Sequence, residues 1–298
     1  MSTPTVPATR SDREPFATID WLLLGAIALI WGSSFLLIKI GLEAFHPGLI
    51  TWARVGLGAL ALAVIPAAHR PIERKDRRRI FQLGVVWVAI PFTLFPLAEE
   101  HINSAVTGLL NGATPFFGGL IGALWFNRAP RGPQRWAIAI GFAGIALIAA
   151  GTSAEGGTAF VGVLMVLAAT FCYGFAINMT GSLQQKYGSV QVMARVLAIG
   201  SVLTAPFGIY GLTRSGFALE SALAVSVLGV IGTGFAFVLM ATLVGRVGGP
   251  RSTFINYLVP VVSLLLGRVF LSETVTGLAL VGIALILVGA GLASRREH

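Results

Sequence analysis

Apolar residues in this chain fall into long runs, separated by short breaks rich in arginine, glycine and proline. A run of ~20 apolar residues coiled as a helix spans the hydrocarbon core of a bilayer. The runs predict ten such helices, over residues 21–42, 48–68, 80–98, 103–126, 134–151, 157–179, 189–211, 221–244, 250–271 and 275–294. The breaks are mostly short, so consecutive helices are expected as antiparallel neighbours. The predicted fold class is therefore all-α integral membrane.

Composition agrees. Hydrophobic residues make up 55% of the 298 positions and charged residues 11%, with mean hydropathy +0.84. Soluble domains carry roughly a quarter charged residues, and so little charge could not cover a water-facing surface. The 37 glycines suit close helix packing in lipid. One cysteine, Cys172, lies inside an apolar run, which excludes an intrachain disulfide and a thiolate metal site. Residues 1–18 lack an apolar core and a small-residue cleavage site, so a signal peptide is not expected there.

The formal charge of +9 would suit nucleic acid, but the cations sit in short loops rather than on one face. Loop arginine and lysine mark the cytoplasmic side of a membrane protein. Arg10 and Arg13 precede the first run. The even loops hold Arg70, Arg74, Lys75 and Arg77–Arg79, then Arg128, Arg131 and Arg135, then Lys186, then Arg246 and Arg251, and the tail has Arg295 and Arg296. That is sixteen cations, against Arg214 alone in the odd loops. Glu43, Glu99, Glu100, Glu155 and Glu273 fall on the odd side. Both termini are expected in the cytoplasm. One missed or surplus helix would reverse the charge of every later loop.

The chain also repeats itself. Gly84, Phe92, Asn111, Pro115, Gly122 and Gly132 recur 145 residues later as Gly229, Phe237, Asn256, Pro260, Gly267 and Gly277. Ala53-Arg54-Val55 recurs as Ala194-Arg195-Val196, and Trp31-Gly32 corresponds to Tyr173-Gly174. The expected organisation is a tail over 1–20, five helices over 21–151, five more over 157–294 and a short tail over 295–298. Five is odd, so the second unit enters the membrane from the opposite side. Inverted repeats of this kind build transporters with a substrate site near mid-membrane at the repeat interface.

The Asn-x-x-x-Pro steps point to that site. A proline displaces the carbonyl four residues earlier, which brings a freed carbonyl together with the amide of Asn111 or Asn256. In hydrocarbon such groups need a partner, and a neighbouring helix, water or a substrate would serve. Pro115 and Pro260 are the expected kinks. Aromatic rings gather at similar levels, with Trp31, Trp87, Phe92, Tyr173 and Tyr257 as candidate cavity walls and Ser34 and Thr114 as hydroxyl donors. Arg54 and Arg195 lie two turns inside their helices, close enough to snorkel outward, and a shared structural role is expected for them. Lys39 and Arg268 are expected to snorkel as well. Gly118 and Gly122 have the spacing of a helix-packing or dimer face.

No histidine falls mid-span, and no paired carboxylates occur inside a run. A membrane-embedded hydrolase would need one or the other, so no enzyme, metal or cofactor is expected. Glu99 and Glu100 read as a solvated loop, which leaves a proton-coupled mechanism without a carrier.

Trp31-Gly32-Ser33-Ser34-Phe35 with Lys39, Arg54, the two Asn–Pro steps and Glu273/Gly277 together resemble the EamA-type repeat of the drug/metabolite transporter superfamily. The resemblance covers about residues 20–294 and is greatest to bacterial amino acid exporters that accept aromatic substrates. It implies two EamA repeats of five helices, a multi-pass place in the bacterial inner membrane, and export of small metabolites. It also implies that residues 111–115 and 256–260 face the cavity. Thr114 stands where some relatives carry a bulky aromatic, and Gly112 is likewise small, which implies a wider cavity without strict aromatic specificity; Arg128 stands where the second repeat has Glu273. The expected partners are a small-molecule substrate and membrane lipid, without nucleic acid, the protein acting as a monomer or weak dimer. A nucleotide-sugar or phosphate-ester carrier, or a carrier of drug-like solutes, is the alternative.

Overall fold

A computed structural model describes residues 16–128, 130, 132–153, 156–252 and 254–294. Arg10, Arg13, Arg131, Glu155, Arg295 and Arg296 lie outside the described residues, as do the last four positions. Among the described residues ten helical spans follow one another: α1 (Thr18–Leu42), α2 (Pro47–Ala63), α3 (Arg74–Glu99), α4 (Ser104–Asn111 and Thr114–Trp125), α5 (Pro133–Ser153), α6 (Gly157–Tyr187), α7 (Ser189–Leu212), α8 (Leu219–Val247), α9 (Gly249–Ser252 and Ile255–Phe270) and α10 (Gly277–Ser294). α1, α3, α6, α7, α8 and residues 134–152 of α5 are each long and apolar enough to cross a bilayer, and α2, Ile255–Phe270 and Gly277–Gly289 are shorter apolar helices. The end where α1 begins is called proximal here, and the opposite end distal.

Three boundaries differ from the sequence expectation by five residues or more, the first being α3, which begins at Arg74 instead of residue 80. α2 stops at Ala63 instead of reaching residue 68, because Pro66 forces the preceding residue into extended backbone. α6 runs to Tyr187, so Lys186 belongs to the helix and not to a loop. There its ammonium meets Glu73 at 2.7 Å and Asp76 at 2.8 Å, tying the α2–α3 connection to α6. This ammonium, helped by Lys75, holds the exposed Glu73 carboxyl below the usual carboxylate range.

The packing shows the repeat in three dimensions. α5 packs against α10 and α2 against α7, while the α1–α9 contact has its counterpart in α6–α4 and the α1–α8 contact in α6–α3. Each pair maps onto another, or onto itself, when every span is exchanged with the one five later. The structure thus has two five-helix repeats related by a pseudo-two-fold axis. Matched glycines allow the matched approaches. A Cβ at Gly32 would sit 2.5 Å from a methyl of Val262 on α9, and one at Gly174 would sit 2.9 Å from the Phe117 backbone on α4.

Local backbone repeats too. α3 and α8 each contain a π-helical turn, Gly84–Ala89 and Val230–Phe235. α4 and α9 both end on a left-handed residue, Asn127 at φ 53° and Ser272 at φ 52°. In each, the next amide reaches back to a glycine carbonyl, Arg128 to Gly122 at 2.8 Å and Glu273 to Gly267 at 3.1 Å. Each bond reaches one residue further back than the C″-to-C3 bond of a Schellman cap. Gly118 and Gly122 face Ile177 and Asn178 of α6, so that stripe serves internal packing.

Candidate functional site

The repeat interface is built around Arg54. Sequence reasoning expected this side chain to snorkel; the structure turns it inward, with 6% of the residue exposed. Its Nε donates to Thr233 Oγ1 at 3.1 Å, and its guanidinium carbon lies 4.0 Å above the centre of the Phe92 ring. Thr233 sits in the π turn of α8 and Phe92 three residues beyond that of α3. The π turn also makes the hydroxyl available, since Thr233 Oγ1 donates to the Leu228 carbonyl five residues back, at 3.0 Å. Arg54 therefore joins both repeats, through the π turn of α8 and the turn of α3 that follows its own, and π turns often mark functional sites. Arg195 behaves differently. Its guanidinium donates to the carbonyls of His69 and Arg70, at 3.3 and 3.4 Å, in the proximal loop after α2. The two arginines thus have different partners, Arg54 inside the repeat interface and Arg195 in a loop.

Beside Arg54 the predicted aromatics converge. Phe237 meets Trp31 edge-on at 5.8 Å and Trp87 at 5.9 Å, while Tyr173 lies 5.9 Å from Phe95. Ser34 is buried, bonds the Ile30 carbonyl and lies close to Gly232 of the α8 π turn. Tyr257 stands apart from this group. It pairs with Phe254, which contacts Phe16 at the proximal end, where Arg246 is ion-paired with Asp20.

The two Asn–Pro segments meet but are not alike. A Cβ at Gly112 would lie 3.0 Å from Pro260, so α4 and α9 cross here. α4 breaks at Gly112 and Ala113, whereas α9 runs unbroken from Ile255 to Phe270 through Pro260. The Asn111 carbonyl displaced by Pro115 accepts from Thr114 Oγ1 at 2.8 Å. The hydroxyl proton thus completes the broken turn, which leaves the oxygen as an acceptor. The Asn111 side-chain Oδ1 is buried with no hydrogen-bond partner among the described residues.

A cavity of about 810 Å³ opens at the distal end among Lys39, His46, Glu99, Glu100, Asn103 and Glu273. Glu273 caps α4 from the other repeat, accepting from the Ser104 and Ala105 amides at 2.9 Å each and from the Ser104 hydroxyl at 3.0 Å. Carboxylates suit helix N-termini because the first turn leaves unbonded amides. Glu99 and Glu100 were both expected in solvent; Glu100 is exposed and Glu99 is fully buried. Sequence reasoning missed Thr233, the cap formed by Glu273 and the burial of Glu99. Only the repeat register, which aligns the two π turns, carried a signal for Thr233.

Comparison with known proteins decides the family. The EamA-like transporter family matches residues 19–150 and 160–295. The chain belongs to that family and is a membrane transporter. Among its relatives is a "Probable terminal-alkyne amino-acid exporter" of Streptantibioticus cattleyicolor, 28% identical over 93% of each chain. A "Probable amino-acid metabolite efflux pump" of Escherichia coli is 25% identical over 91% of this chain and 93% of its own. An "Uncharacterized transporter" of Archaeoglobus fulgidus is 24% identical over 93% and 99%. One crystal structure superposes with a TM-score of 0.65 at 18% identity, covering 92% of this chain and 97% of that one, which establishes the fold.

Proposed function

We propose that this EamA transporter exports amino acids, aromatic ones among them, across a bacterial inner membrane with both termini in the cytoplasm. Transport runs by alternating access, the two repeats exchanging conformations about the interface centred on Arg54 and the Trp31–Phe237–Trp87 aromatics. The observation that carries the reading is Asn111 Oδ1, a buried acceptor without a donor beside a broken helix. A substrate ammonium is the donor such an atom lacks, and the Trp31, Phe237 and Trp87 rings at the repeat interface offer walls for an apolar or aromatic side chain. The relatives named as amino-acid exporters support the same substrate class. A phosphate ester would call for several converging cations, and Arg195 is already committed to loop carbonyls.

The test is flux of labelled phenylalanine and alanine in proteoliposomes containing the pure protein. A hydrogen bond to a charged group is worth about 1.5–3 kcal/mol, so Asn111→Leu is expected to weaken apparent affinity roughly tenfold to a hundredfold. Flux no faster than in empty vesicles, or unchanged affinity in Asn111→Leu, would refute the assignment.

A further inference from the structure

Glu99 ends α3 in the lining of the distal cavity, yet the residue is fully buried and both of its carboxylate oxygens lack a hydrogen-bond partner among the described residues. The nearest cation does not relieve it: the Lys39 ammonium donates 2.6 Å to the main-chain carbonyl of Glu99 rather than to its carboxylate. Lys39 on α1, Arg54 on α2 and Glu273 ahead of α10 all act on it electrostatically, two attracting and one repelling. From α6, Tyr173 faces Arg54 and packs on Phe95, one turn before Glu99. From α4, Asn103 lines the same cavity, and on α3 itself Glu100 points to solvent. No hydrogen bond joins Glu99 to Arg54, which donates from Nε to Thr233 and lies over the Phe92 ring, or to Glu273, which accepts from the α4 amides.

We propose that Glu99 is a proton-binding site that couples closure of the distal cavity to proton uptake. A carboxylate sealed from water with no donor is far costlier as an anion than as a neutral acid. The sealed arrangement therefore requires a proton taken up from water in the cavity. Losing that proton restores the anion, which Glu273 repels, and the distal ends of α1 and α3 part until water or the Lys39 ammonium reaches the oxygens. Transport would then be driven by a proton gradient, one proton entering at Glu99 as substrate leaves. The direction of this exchange rests on the export reading above; the proton site itself does not.

Infrared spectroscopy of the full-length protein in lipid nanodiscs tests the site without any substrate. At neutral pH the wild type is expected to show the carbonyl stretch of a protonated carboxyl group, and Glu99→Gln is expected to lose it. Absence of the band from the wild type, or its persistence in Glu99→Gln, overturns the proposal. Should Glu99→Gln aggregate, Glu99→Asp keeps an acid on a shorter stem and must shift the band; an unshifted band is equally fatal. In proteoliposomes with labelled phenylalanine, stimulation by a pH gradient should vanish in Glu99→Gln and survive in Glu220→Gln, an exposed carboxylate on α8. Equal stimulation in both variants overturns the coupling. If the wild type moves no phenylalanine while the band behaves as expected, the export reading fails and the proton site stands.

Discussion

Arg54 shows what a single residue costs and contributes in this interior. A guanidinium taken out of water must find donors' partners and a polarisable surface, and it finds the Thr233 hydroxyl and the Phe92 face. Thr233→Val keeps the shape of the side chain and removes the acceptor, leaving Nε buried and unbonded. The expected loss is about 1–3 kcal/mol, read as a lower thermal midpoint of the detergent-purified protein. An unchanged midpoint would mean that the cation–π contact alone holds the guanidinium. At this scale the sequence is a partial guide. Arg54 is visible as a charge within an apolar run and Phe92 as a position that repeats, but the partner Thr233 lies 179 positions away. Spacing along one helix says nothing about a contact made across the repeat interface.

At the scale of the helix, the repeat is written into caps and turns as much as into packing faces. α4 and α9 close with the same left-handed cap, occupied by asparagine in the first repeat and serine in the second. Asparagine tolerates that backbone, whereas a left-handed conformation costs most other residues roughly 1–2 kcal/mol. Ser272→Gly is therefore expected to stabilise the protein by about 1 kcal/mol, while Ser272→Val should destabilise it. A thermal-shift comparison of the two variants checks the sign. The breaks were legible in part: Pro115 announced a kink in α4 but not the break at Gly112 and Ala113, and the expected second run passed through Pro66, where the structure ends α2 at Ala63. Pro260 announced a kink that α9 absorbs without breaking. A proline disrupts a helix only as far as its neighbours leave the ladder unsupported, and flanking helices set that support.

For the whole molecule, the arrangement of charge about two ends is the controlling feature. Arg74, Lys75 and Arg77–Arg79 share the proximal end with the start of α1, while Glu43, Glu100 and Glu273 gather at the distal end. In a variant carrying Cys172→Ala, a cysteine introduced at position 75 should react with an impermeant thiol reagent only from the cytoplasmic side. One at position 100 should react only from outside. Labelling of both from the same side would contradict the topology, because α3 would then fail to cross the membrane.

The order of apolar runs, the loop charges and the internal repeat by themselves determine ten spans and two oppositely inserted halves. Each of these follows from local free energy: transfer of an apolar segment into lipid, retention of arginine on one side, and the parity of five crossings. Tertiary structure alone decides which polar side chains inside those spans are satisfied. Glu99 and Glu100 are adjacent acids at one helix end, yet one is sealed and the other solvated, because α1, α2 and α6 close over a single face of α3. Burial at a helix end is a property of neighbouring helices, and no pattern within one helix can encode it.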